Sequence, residues 1–133
     1  TSASYSSASS GSSYTSSAPP STAALTKTVT VQHYYGNKYY INGTRQAVVS
    51  LTEGNTYKFD QSDSSNAGHP LKFSTTSNGT HASGTEYTTG VTYVGTPGNP
   101  GAYTQIVVAS GAPTLYYYCS NHSGMGGTVN TPA

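Results

Sequence analysis

From Thr28 onward, short runs of β-branched and aromatic residues alternate with Gly, Pro and Asn-Gly breaks. Thr28-Val29-Thr30-Val31-Gln32 has the period of two that a half-buried strand needs. Lys38 to Ile41 repeats the pattern, and Asn42-Gly43 after it supplies the positive φ angles of a tight hairpin turn. Gln46–Leu51, Thr56–Asp60, His69–Ser74, Tyr103–Val108, Leu115–Cys119 and Thr128–Asn130 read as further strands. Between them lie Glu53-Gly54-Asn55, Asn78-Gly79 and the Gly- and Pro-rich stretch 95–101, which read as turns and loops. No window of roughly ten residues carries apolar side chains at helical spacing. The pattern therefore predicts an all-β chain, a β-sandwich or barrel.

Composition decides what such a sandwich can do. Charged residues are 7% of the chain and the net charge is +1, against roughly 25% charged residues in ordinary soluble domains. A nucleic acid needs a basic stripe and an anionic bilayer needs a polybasic cluster, and the sequence has neither, so neither partner is expected. No apolar run approaches the roughly 18 residues of a membrane span. Hydrophobic residues make up only 33% of the chain and the Tyr count is 13, so the core has to be built from Val, Tyr and a few Leu and Ile. A single Cys excludes an intrachain disulfide and any multi-Cys zinc site.

Residues 1–26 differ from the rest. They hold eleven Ser, four Thr, five Ala and two Pro, with no charge, too little apolar surface to offset the entropy of ordering. This stretch reads as a linker or extended arm joined at Pro19-Pro20 to a folded unit of residues 27–133. A start at Thr1 is expected of a processed product or a piece of a longer polypeptide.

Four residues carry chemistry: His69, Cys119, His122 and Met125. Cys119, His122 and Met125 are spaced Cys-x2-His-x2-Met, and His69 lies 50 residues upstream of the thiol. The single Cys and the single Met of the chain both fall in this motif. Two imidazoles and a thiolate around one point, with a weak axial thioether, are the ligand set of a blue-copper centre, in which soft sulfur suits Cu(I) and imidazole suits both oxidation states. Zinc is a poorer fit because Met is a poor zinc ligand. Gly124, Gly126 and Gly127 let a loop after the Cys119 strand curl until three side chains converge. The other histidines, His33 and His81, lack matching partners and read as surface residues.

The set resembles the cupredoxins, blue-copper domains of the plastocyanin and amicyanin type, over about residues 27–133. The two-residue gap between His122 and Met125 is similar to the amicyanin loop. Residues 57–63, 68–74 and 116–126 also resemble cupredoxin-like modules in virion structural proteins of marine cyanobacterial phages. The resemblance implies a Greek-key β-sandwich of seven or eight strands with one copper ion (Cu+/Cu2+) at one end, held by His69, Cys119, His122 and Met125. It also implies a structural, non-enzymatic module on a virion or extracellular surface, among other structural subunits and as a homo-oligomer. Two alternatives are a small electron-transfer protein and a metal-free adhesion sandwich with a vestigial site.

Two positions depart from the family pattern. Pro70 stands where the family commonly has Asn, and proline has no N–H to give the Cys sulfur. Asn121 stands where many members have Pro, so its backbone N–H is the expected replacement donor. Tyr116-Tyr117-Tyr118 is expected to place one face in the core and the other at the surface, and Tyr34-Tyr35 reads as strand. Asn42, Asn78 and Asn121 open glycosylation sequons, the first two of which read better as turns. The only carboxylates are Glu53, Asp60, Asp63 and Glu86, and nothing in the sequence pairs them for catalysis.

Overall fold

The computed structural model describes residues 24–132. Residues 1–23, with most of the Ser-rich arm and Pro19-Pro20, and Ala133 lie outside the described residues. The strands are β1 (Leu25–His33), β2 (Asn37–Ile41), β3 (Thr44–Arg45), β4 (Val49–Ser50), β5 (Thr56–Asp60), β6 (Leu71–Ser74), β7 (Glu86–Tyr87), β8 (Val91–Val94), β9 (Tyr103–Val107), β10 (Leu115–Cys119) and β11 (Gly127–Asn130). They form a six-stranded sheet in the order β3-β2-β1-β5-β9-β8 and a five-stranded sheet in the order β4-β11-β10-β6-β7. The chain changes sheet after β3, β4, β5, β7 and β9, so the two layers are interwoven, as expected of a β-sandwich. Both sheets are mixed: β1 runs parallel to β5, and β11 parallel to β4.

Alternation along the strands builds the core. Tyr57 and Phe59 of β5, Leu71 and Phe73 of β6, Ile106 of β9, and Leu115 and Tyr117 of β10 are all buried. Phe59 and Phe73 meet edge to face across the layers, with ring centres 5.3 Å apart, a geometry worth about 1 kcal/mol beyond area burial. The tyrosines that fill a core short of aliphatic residues also bind main chain. The Tyr117 hydroxyl donates to the Ala47 carbonyl at 2.8 Å, and the Tyr57 hydroxyl accepts from the Thr52 N–H at 2.8 Å.

Several elements differ from the expectation. β1 starts at Leu25, because Leu25 to Thr28 pair with Tyr57 to Asp60 before the strand turns to β2. Gln46 has φ +46° and breaks the expected Gln46–Leu51 strand, leaving β3 and β4 on either side. Tyr34-Tyr35 is the turn of the β1–β2 hairpin, with Tyr35 at φ +51° and 88% exposed. β7 and β8 follow no clear sequence period; they are edge strands whose residues are mostly half-buried or exposed. Tyr118 is buried along with Tyr117, although strand alternation would turn it outward. The short 3₁₀ turn Gly79–Ala82 covers it, and the ring lies against the Gly79 backbone. Asn42-Gly43 and Asn78-Gly79 are left-handed turns, as expected.

Candidate metal centre

β6 and β10 lie side by side and antiparallel, with Cys119 opposite Leu71 at the end of the ladder. The residues just before β6 and just after β10 therefore emerge at the same end of the sandwich. That register brings His69 to Cys119 across 50 positions of sequence. The Cys119 sulfur is 3.7 Å from His69 Nδ1 and 3.7 Å from His122 Nδ1. The two imidazole rings are 4.7 Å apart, inclined at 48°. One donor atom from each of the three residues falls within 4.8 Å of the others. Cys119 and Met125 belong to the same buried cluster, His69 is buried, and His122 is exposed.

These distances can be tested against a metal. With metal–nitrogen bonds of about 2.0 Å and a metal–sulfur bond of about 2.3 Å, nitrogen and sulfur sit about 3.7 Å apart at a trigonal angle and about 3.5 Å apart at a tetrahedral one. Both sulfur–nitrogen distances match the trigonal value. Donor type and spacing fit a metal ion held by His69, Cys119 and His122, with the Met125 loop beside them. Burial, and secondly the neighbouring His122, hold the His69 imidazole below its ordinary pKa of 6.5. The ring is thus kept in the neutral form that a metal requires.

The loop that carries His122 and Met125 is tied down on several sides. The Gly124 carbonyl accepts from Lys38 Nζ at 2.9 Å and from Gln46 Nε2 at 3.2 Å. The Gly124 N–H donates to Asn78 Oδ1 at 2.8 Å. The Met125 carbonyl accepts from the Tyr39 N–H at 3.0 Å, and the Gly126 carbonyl from Gln46 Nε2 at 2.9 Å. Gly126 is glycine for a steric reason: a Cβ there would lie 1.6 Å from the Tyr117 carbonyl oxygen.

Several contributing residues carry no signal of their role in the sequence. The His69 carbonyl accepts from the Tyr39 hydroxyl at 2.6 Å and from Gln61 Nε2 at 2.7 Å. Burial, followed by the adjacent Cys119, holds the Tyr39 phenol well above its usual pKa. His81 is exposed, as expected, yet its Nε2 lies 2.7 Å from the Cys119 carbonyl oxygen. His33 is exposed and caps its own hairpin, accepting from the Gly36 N–H at 3.3 Å.

The expected donor exchange at the sulfur is not what the structure contains. Among the described residues, the rings of His69 and His122 lie in hydrogen-bonding range of the Cys119 sulfur and the Tyr39 hydroxyl lies beside it, whereas the Asn121 N–H makes no hydrogen bond to it. Asn121 instead uses its side chain, donating from Nδ2 to the Gly68 carbonyl at 3.0 Å. It ties the Cys119–Met125 loop to the residue before His69. His69 also lies outside β6, which starts at Leu71, because Pro70 has no N–H for the ladder and the His69 carbonyl is taken by side chains.

The described residues contain no helix long and apolar enough to cross a membrane. Comparison of the chain with protein-family models, with curated proteins and with solved structures yields no match.

Proposed function

We propose that this protein binds one copper ion through His69, Cys119, His122 and Met125, as a cupredoxin-like domain does. The observation that carries the reading is the equal 3.7 Å separation of the Cys119 sulfur from Nδ1 of both histidines. Zinc favours a closed tetrahedral set without thioether, whereas thiolate, two imidazoles and a thioether suit copper. Bound there, copper would supply one-electron exchange between Cu(I) and Cu(II). The chain's own part is to hold the Cys119 sulfur and the two imidazoles at fixed separation in a site shielded on the His69 and Cys119 side.

The proposed setting is structural and non-enzymatic: a module of a virion or extracellular fibre, assembled with other copies or other structural subunits. A chain with only 7% charged residues supports that setting, since a soluble carrier would be expected to offer a charged docking patch. In this role the metal stabilises the fold by binding the native state alone. The exposed edge of His122 supports a second reading, in which the site exchanges electrons with a partner.

Copper titration with visible spectroscopy tests the site. One equivalent of Cu(II) should give an intense thiolate-to-copper absorption that disappears in Cys119→Ser. A colourless protein that retains no copper on gel filtration would refute the metal reading. Voltammetry separates the two roles: a reversible wave supports electron exchange, and colour without one supports the structural role.

A further inference from the structure

Pro70 creates a difficulty next to a proposed ligand. The Leu71 ladder begins one residue later, so the His69 carbonyl is buried beside a residue without an N–H and outside any strand pairing. A buried carbonyl in that position needs donors from elsewhere. Gln61, which directly follows β5 and is 1% exposed, supplies one. Its Nε2 donates to the His69 carbonyl at 2.7 Å and to Asn66 Oδ1 at 3.2 Å. Its Oε1 accepts from the Leu71 N–H at 3.0 Å. The carboxamide of Gln61 thus spans Pro70, bonding the main chain on both sides as a neighbouring strand's peptide group would.

The rest of the network closes on the same residue. The Tyr39 hydroxyl is the second donor to the His69 carbonyl, at 2.6 Å, so both lone pairs of that oxygen are used. The His69 N–H donates to the Asn66 carbonyl at 2.8 Å. Asn66, fully buried, is fixed in turn by donating from Nδ2 to the Val29 carbonyl at 2.8 Å. Gln61 is held at its own main chain, donating to the Ala102 carbonyl at 2.9 Å and accepting from the Gly98 N–H at 2.8 Å. Both main-chain polar groups of His69 are therefore locked by a buried set drawn from β1, β2, the end of β5 and the 3₁₀ turn Ser64–Asn66.

We infer that Gln61, together with Tyr39, is a positioning residue for the metal centre: the pair fixes the His69 imidazole opposite the Cys119 sulfur before any ion arrives. This rests on the copper reading for the identity of the ion and not for the order of the metal-free site. A fully satisfied buried network specifies one arrangement and is costly to leave half-made, and a ligand held within a fraction of an ångström of its bound place binds without a further ordering cost.

The test uses Gln61→Leu and the milder Tyr39→Phe, which removes one hydroxyl from the shared carbonyl. Three readouts are compared with wild type: Cu(I) affinity by chelator competition, the Cu(II)–thiolate absorption, and the His69 ring signals by NMR in metal-free protein. Gln61→Leu is expected to lower Cu(I) affinity at least tenfold and to shift or broaden the absorption. It should also split the single set of His69 ring signals, and Tyr39→Phe should do the same to a smaller extent. If Gln61→Leu does not fold, Tyr39→Phe is decisive on the metal-free His69 ring signals, since loss of a hydroxyl beside the Cys119 sulfur alters the absorption without any change at His69. A folded variant with lowered thermal stability but unchanged affinity, absorption and ring signals would overturn the inference, since Gln61 would then be merely structural. Should wild type take up no copper, the proposed function fails on its own, and the metal-free ring signals alone still decide whether Gln61 fixes His69.

Discussion

Gly126→Ala is the most demanding test of how the Met125 loop is built. The new methyl would sit 1.6 Å from the Tyr117 carbonyl oxygen, where ordinary contact is about 3.5 Å, so the loop has to retreat by about 2 Å. The oxygen belongs to β10 in the centre of its sheet and cannot move aside. A retreat of that size breaks the bonds that hold the loop: Tyr39 N–H to Met125, and Gln46 Nε2 to Gly126 and Gly124. At about 1 kcal/mol each the loss is about 3 kcal/mol. For a domain of this size it should lower the melting temperature of the metal-free protein by about 15 °C. Gly124→Ala is the control. It has φ +76° but its added carbon meets only Lys38 Nζ, at 3.6 Å, so strain alone should cost about 1 kcal/mol. Circular dichroism melts of the two variants, followed by copper titration at a temperature where both are folded, give the comparison. Gly126→Ala should be clearly the less stable and should lose copper affinity. Equal melting of the two variants would refute the steric account of the loop.

Acidity gives another test. His69 has its pKa held below 6.5 by burial and by His122, so as pH falls through 6.5 the unfolded chain takes up the proton first. The stability from the neutral ring is complete above that pH and is lost progressively below it, down to the lowered native pKa. Metal-free wild type should therefore melt lower at about pH 5 than at about pH 8, and His69→Asn should flatten that dependence; a melting temperature that rises in acid contradicts the sign. Gly79→Ala should cost about 2–3 kcal/mol by urea unfolding, because its added carbon would lie 2.5 Å from the Tyr118 ring at φ +53°. Glu86→Gln removes a partly exposed ion pair with Lys72 at 3.5 Å and should change stability by less than about 1 kcal/mol in the same assay.

Of the candidate donors, the structure gathers His69, Cys119 and His122, and the Cys119–His122 part was legible because its spacing is local. Cys119 ends a strand with His122 and Met125 on the loop after it, and His69 opens a stretch whose β-character is plain. The class of fold was legible for the same reason: alternation and Asn-Gly turns are properties of neighbouring residues. Long-range partnerships were not legible. Nothing in Tyr39 or Gln61 announces that both reach the His69 carbonyl, since that meeting depends on how β2 and the end of β5 stack against the other sheet. The Asn121 expectation failed on a related point. The backbone N–H was the conspicuous donor, but Gly68 is close enough in space for the side chain to bridge the two ligand segments instead. Tyr118 misled because alternation describes an isolated sheet face, and the turn Gly79–Ala82 covers that face. β7 and β8 escaped notice because edge strands are buried on too few sides to impose a period.

The hydroxyls of Tyr39, Tyr57 and Tyr117 each end on main chain beyond their own strand: at His69, Thr52 and Ala47 respectively. Apolar side chains hold a sandwich by close but non-directional packing, and here these hydrogen bonds add fixed points. Sliding one layer over the other would strip the Tyr39 phenol, which reaches from β2 to the segment before β6 in the other sheet, of its anchor while it is still shut away from water. A chain poor in aliphatic side chains thus gains directional contacts that apolar packing alone does not provide, and His69, whose carbonyl accepts one of those bonds, shares in that rigidity.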